Sequence, residues 1–187
     1  LRTDRFAFLA LGLLCFSVVV FGQELVQETE GEKKPLPDGF SRIRLGMELE
    51  AVREELQLDG NFAYRGEPDV SLLREPSEAL IECDGAYYID RAAFQFSEGR
   101  LFSISLNLNP EVLSYYTVFR TLQEKYGEPD DLNPERAIWQ DERVHMALER
   151  PLNVRYIAAP VLTEMRRERR QERSLQSLLR ERFLEQF

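Results

Sequence analysis

The side chains that do most protein chemistry are scarce in this chain. One histidine, His145, and two cysteines, Cys15 and Cys83, stand among 187 residues. Acid–base pairs, activated thiols and zinc sites each need several such groups to converge. With no second imidazole, a metal site would rest on carboxylates alone. Glu82 with Asp84, and Asp130 with Asp131, are short acidic sets of that kind. Neither spaces its oxygens over twelve residues around a central Gly, as a calcium loop does. Paired carboxylates can also hydrolyse bonds, but 33 acidic residues make chance pairs frequent. There is no glycine-rich phosphate loop, GxSxG, HExxH or CxxC. We therefore expect no catalytic, cofactor-binding or metal-ligating residue. A hydrolase using carboxylates stands third among the functional readings.

The remaining candidates have plain structural readings. In "VHMALE", alternation sets His145 opposite Val144, Met146 and Leu148, on the wet face of a strand. A solvated ring is expected. Cys83 is expected as a small buried apolar group near a strand end, with a reactive thiol or an intermolecular bridge as the alternative. Tyr87–Tyr88 and Tyr115–Tyr116 each predict one core ring and one edge ring, against a binding surface as the alternative. Trp139 is open to both readings.

The chain starts with Arg2 and Arg5, then an uncharged run over residues 6–22. Val20 and Gly22 are small residues at −3 and −1 of a cut before Gln23, which reads as a secretory signal. At 17 residues, the run is also at the lower limit for a membrane-spanning helix. An uncleaved anchor is the second reading. Lipid attachment at Cys15 is the third, on a poor lipobox made by Gly12, Leu13 and Leu14. All three place the rest of the chain outside the cytoplasm, in the periplasm or cell envelope. After cleavage only Cys83 would remain, so stability must come from a packed core rather than disulfides.

Formal charge is −9. That argues against nucleic acid, which needs clustered positive charge. Residues 163–187 reverse the balance, with seven Arg against five Glu.

Periodicity places the elements. Residues 23–39 are polar, with two Pro and two Gly, and read as a flexible linker. An α+β domain is expected over 40–162. "FSRIRL" alternates as a short edge strand. Gly46 breaks it with a turn that a side chain would obstruct, and Met47 plugs the start of a helix over 47–58. A loop-rich stretch follows, with "NFAYRG" a candidate strand. "EALIEC" and a turn at Asp84–Gly85 lead to the clearest hairpin, "AAFQFSEGRLFSISLNLN". On its second arm Phe102, Ile104, Leu106 and Leu108 are expected to share the apolar face. A second helix is expected over 111–126, opened by Pro110 and closed by Gly127 and Pro129. Phe96, Phe102, Ile104, Phe119 and Leu122 should be mutually buried, sheet against helix. Two further strands, around Met146 and Tyr156, complete a mostly antiparallel sheet with both helices on one face.

Residues 163–187 read as a charged, then amphipathic helix. Its first part allows many Glu–Arg pairs one turn apart. Leu175, Leu178, Leu179, Phe183 and Phe187 then form an apolar stripe, the candidate partner-binding element. The stripe could fold back on the domain, pair with a second copy as in a coiled coil, enter a partner's groove, or lie weakly on a lipid surface.

"IRLGMELEAVREEL" resembles the opening of the BamE/SmpA-type envelope lipoproteins, which share a beta-lactamase-inhibitor-protein-like fold. The matching residues are Ile43, Gly46, Met47, Val52 and Leu56. "LQEKYGEPD", residues 122–130, is similar to a helix ending in the same group. The resemblance implies helices on one face of an antiparallel sheet, an envelope location and protein binding rather than catalysis. No functional residue carries over from it. The leading expectation is a non-enzymatic envelope protein acting as an adaptor or assembly factor. A small-ligand-binding or inhibitory module using the open sheet face is second.

Overall fold

The computed structural model describes residues 34–66, 70–72 and 78–187. The expected signal segment, Cys15 and most of the linker lie outside the described residues. Among the described residues, ten strands and three helices follow one another as β1 (Gly39–Phe40), β2 (Ile43–Arg44), α1 (Leu49–Leu58), β3 (Val70–Leu72), β4 (Glu78–Asp84), β5 (Ile89–Ser97), β6 (Arg100–Leu108), α2 (Tyr115–Tyr126), β7 (Asp131–Leu132), β8 (Arg136–Gln140), β9 (Val144–Glu149), β10 (Asn153–Ala158) and α3 (Ala159–Leu184).

β1 and β2 form a two-stranded ribbon; the other eight strands make one sheet in the order β3-β4-β5-β6-β10-β9-β8-β7. Every pairing is antiparallel. The architecture is α+β, as expected. The order also shows a repeat that periodicity did not: each half is a helix followed by a four-strand meander. The two halves meet where β10 returns to pair with β6.

One face of the sheet carries the core. Ile81, Ala92, Phe94, Phe96, Ile104, Leu106, Trp139, Met146 and Leu148 are all buried there. α1 covers part of it with Val52 and Leu56. α2 lays the half-buried Val118, Phe119 and Leu122 against the rest. The Phe119 ring meets Trp139 at 6.0 Å, and the Trp139 indole N–H donates to the Gly127 carbonyl at 2.8 Å.

The Gly-Met step joins these layers. Gly46 sits at φ +87°, a left-handed value, and a Cβ there would meet nothing within 4 Å. The constraint is therefore conformational rather than steric crowding. The Gly46 N–H donates to the Leu101 carbonyl at 2.7 Å, and the Leu101 N–H donates to the Met47 carbonyl at 2.8 Å. This clasp ties the entry of α1 to the start of β6, with Met47 packed against the core.

Several local expectations need correction. "FSRIRL" is not one strand but the tight β1–β2 ribbon, folded at Ser41, whose φ is +54°. Phe62 of "NFAYRG" makes only an isolated bridge to Gly85. α2 starts at Tyr115, not at 111. Ser114 is the cap, its hydroxyl accepting from the Thr117 N–H at 3.1 Å. A side-chain acceptor satisfies an open helix N–H, which Pro110 cannot do. α3 begins at Ala159, four residues before the expected start. Leu36, assigned above to the linker, is buried, and its N–H donates to an Asp141 carboxylate oxygen at 3.4 Å.

The largest correction is at the β5–β6 hairpin. The register shifts between Gln95 and Phe96, so Phe96 pairs with Leu101 while Gln95 pairs with Ser103. The bulge leaves Phe102 unpaired and turns it to the second face. Leu101, 1 % exposed, takes the core position expected for Phe102.

Candidate functional site

The second face of the sheet is polar and only partly covered. Two rows of side chains cross it. Gln95, Ser103, Ile157 and His145 stand side by side on β5, β6, β10 and β9. Ala93, Ser105, Arg155 and Ala147 form the next row. Beyond them Asn153 donates from its amide to the Ser105 hydroxyl at 2.9 Å and to the Asn107 side-chain oxygen at 2.6 Å. Arg155 pairs with Glu149 at 3.1 Å. These bonds pair only part of the polar strand surface that alternation sets opposite the core, and the Asn153 side-chain oxygen is buried without a hydrogen-bond partner among the described residues.

The first turns of α3 lie over this face. Leu162, Met165, Arg166 and Arg169 recur at helical spacing and, with Phe102 and the β5, β6 and β10 members of the two rows, enclose a hollow of about 360 Å³. Phe102, Ile157, Leu162 and Met165 supply apolar walls. Arg166 and Arg169 stand at the helix side. Among the described residues neither makes an ion pair. None of the Glu–Arg pairs that the α3 sequence allows is formed among the described residues.

His145 lies on the expected face but not in the expected environment. It is 8 % exposed rather than solvated. Burial, then the nearby Arg166 and Arg136 charges, hold its pKa below 6.5, against a smaller upward pull from Glu149. The ring is therefore biased to the neutral form. Alternation identifies a side chain's face, not what later covers that face.

The other candidates separate cleanly. Cys83 is buried, as expected of a small apolar group near a strand end, and forms no disulfide among the described residues. Glu82, Asp84, Arg65 and Arg91 surround it in a hollow of about 230 Å³. Asp131 opens β7 and Asp130 precedes it, with an Asp130 carboxylate oxygen accepting from the Gln140 N–H at 2.7 Å. No group of three or more His, Cys, Asp or Glu side chains converges among the described residues. Tyr115 is half-buried, donates its hydroxyl to the Leu148 carbonyl at 3.3 Å and carries Arg150 4.2 Å above its ring. Tyr116 is exposed, so that pair splits as expected. Tyr87 and Tyr88 do not split: both are exposed, because they sit in the turn between β4 and β5 rather than in a strand. Trp139 is core.

The terminal stripe is exposed. Leu175, Leu178, Leu179 and Phe183 are 56–62 % exposed and Phe187 is 95 % exposed. Fold-back onto the domain is therefore not the arrangement seen. The Phe183 and Phe187 rings touch edge to face at 5.3 Å. No residue of α3 is fully buried. The helix has 26 residues, about 39 Å at 1.5 Å per residue. Among the described residues no helix is long and apolar enough to cross a membrane.

Residues 38–168 match the TP0088 domain. The chain belongs to the TP0088 domain family. The matched span takes in both helix-and-meander halves and the first turns of α3, including Leu162, Met165 and Arg166. The stripe from Leu175 to Phe187 lies beyond it. No curated protein and no solved structure matches the chain.

Proposed function

We propose that this is a non-enzymatic, exported envelope protein that binds another protein through the end of α3. The observation that carries the reading is the exposure of Leu175, Leu178, Leu179 and Phe183 on a helix that extends past the family domain, and of Phe187 just beyond its end. Fully burying one Leu or Phe is worth about 1.5–3 kcal/mol. Five such side chains offer a gross gain on the order of 7–15 kcal/mol, comparable to the estimated cost of association. One or two of them would not suffice, so the stripe must act as a unit.

Export rests on the positive start and apolar run of residues 1–22, with a mature N-terminus at Gln23. The expected product in the envelope fraction is a chain whose intact mass lacks residues 1–22. A mass that retains them supports the anchor, and a mass with acyl chains on Cys15 supports the lipoprotein. Protein binding is tested by L178D/F183D in cells followed by crosslinking. Loss of a specific crosslinked species, with the domain still folded, supports the reading. An unchanged crosslinking pattern contradicts it. A species at twice the chain's own mass would make the partner a second copy.

A further inference from the structure

The hollow under the first turns of α3 has features that the partner-binding reading does not use. Its floor holds Ser103, only 4 % exposed, whose hydroxyl has no protein hydrogen-bond partner among the described residues. The Gln95 amide beside it likewise has none. The Ser105 oxygen accepts from Asn153, which leaves its own O–H to donate. That hydroxyl opens onto the hollow, where it can bond a molecule seated there. On the helix side, Arg166 and Arg169 present two guanidinium groups that no carboxylate within the described residues neutralises. The third, Arg155, is already matched by Glu149. The hollow thus combines a net positive side, spare donors on the floor, and apolar walls from Phe102, Ile157, Leu162 and Met165.

The geometry points to a binding site for a small amphiphilic anion, a carboxylate or phosphate monoester carrying a short alkyl chain. Its anionic head sits between Arg166 and Arg169 and accepts from Ser103 and Gln95. Its alkyl chain lies on Phe102, Ile157, Leu162 and Met165. The hollow, at about 360 Å³, is within the ~300–1,000 Å³ range of small-molecule sites. Guanidinium groups suit both heads, because their forked donors match two oxygens at once. The β5–β6 bulge is part of the site: without it Phe102 would point into the core and the floor would lose its largest apolar contact. His145 adjoins the site beside Ile157 and faces Arg166 from α3, Arg136 from β8 and Glu149 from β9. An anion seated on Arg166 offsets part of the positive field at the ring.

The test uses the full chain, titrated with octanoate and octyl phosphate and followed by amide and imidazole NMR. Octanol and inorganic phosphate serve as the half-ligands. The expected result is saturable shifts at Ser103, Ser105, Phe102 and Leu162, with an upward shift of the His145 titration midpoint. R166Q/R169Q should weaken octanoate binding about 10-fold or more, as loss of charge-assisted bonds requires. Ser103→Ala should weaken it by a smaller factor. Octanol binding as tightly as octanoate would overturn the ionic half of the proposal. Inorganic phosphate binding as tightly as octyl phosphate would overturn the apolar half. No saturable shift with either amphiphile, or a response confined to phosphatidylglycerol vesicles, overturns the site altogether. Both arginines are exposed and unpaired among the described residues, so a thermal midpoint near wild type is expected for R166Q/R169Q. This site stands or falls independently of crosslinking at the terminal stripe.

Discussion

The core face of the sheet and the outer half of α3 use the same side chains to opposite ends. Phe94, Phe96, Leu101 and Leu148 are at most 1 % exposed, while Leu175, Leu178, Leu179 and Phe183 are more than half exposed. The difference is one of neighbours. Each core residue lies on a strand with partners on both sides, and α1 and α2 close over the face. The α3 stripe sits on a single helix that leaves the sheet after its first turns. A stripe of that kind contributes little to the fold and is available to something else. The inner turns of α3 are intermediate, since Leu162 and Met165 touch the second face without closing it.

That contrast can be broken most forcefully in the core. Trp139→Ala removes a fully buried ring and the indole bond to Gly127, and should cost about 3–5 kcal/mol in denaturant unfolding. Gly46→Ala forces a side chain into a left-handed conformation at the α1–β6 clasp, and should cost about 1–2 kcal/mol. Phe119→Ala should cost about 1–2 kcal/mol rather than the full-burial figure, because that ring is only half-buried on Trp139. A loss as large as that of Trp139→Ala would mean that α2 seals the face more tightly than its exposure indicates.

His145 sharpens the comparison on the second face. His145→Ala should cost about 1 kcal/mol near neutral pH, more than a surface change. The ring is held neutral in the fold, with its pKa below 6.5. Below 6.5 the unfolded chain binds a proton that the folded chain resists. Stability should therefore fall as pH drops from 6.5 toward the lowered folded value, and His145 should contribute no such slope above 6.5. His145→Ala should lose that slope. Asp141 acts in a separate window. Burial works against its charge, but backbone N–H groups of Val144, Arg143 and Leu36 and the Arg143 charge outweigh it and hold its pKa below 3.8. Its contribution is present above 3.8 and is lost as pH falls through the lower folded value. The smallest effect belongs to the stripe. L178A/L179A should change unfolding free energy by no more than about 0.5 kcal/mol.

Much of the fold was legible because period and burial agree in it. The β5–β6 hairpin, the β9 and β10 strands, the apolar face of α1 and the α+β class all follow from alternation and helical spacing. The misses have local causes. Phe102 left its expected face because one bulge residue reverses alternation beyond it. Pro110 favours a helix start, but Ser114 holds the α2 cap because its hydroxyl can accept the open Thr117 N–H. Leu36 lies in a stretch whose Pro, Gly and charge conceal one buried side chain. The helix-and-meander repeat was hidden because its halves share topology rather than residue pattern. The candidate sites divide in the same way. The α3 stripe could be read from spacing alone. The hollow beneath α3 could not, because it needs the bulge at Phe102, the neighbouring strands β5, β6 and β10, and the place where α3 crosses them. The five arginines from Arg166 to Arg173 were visible as charge, but nothing in their spacing says that two face a sheet.

In the function proposed for this protein, the end of α3 serves binding and not the fold. Deleting residues 174–187 tests it most directly, with thermal unfolding and envelope crosslinking read on the same protein. The predicted result is a thermal midpoint within about 2 °C of the full chain together with loss of the crosslinked partner or dimer. A midpoint drop of about 5 °C or more, or a crosslinked partner that survives the deletion, would contradict it.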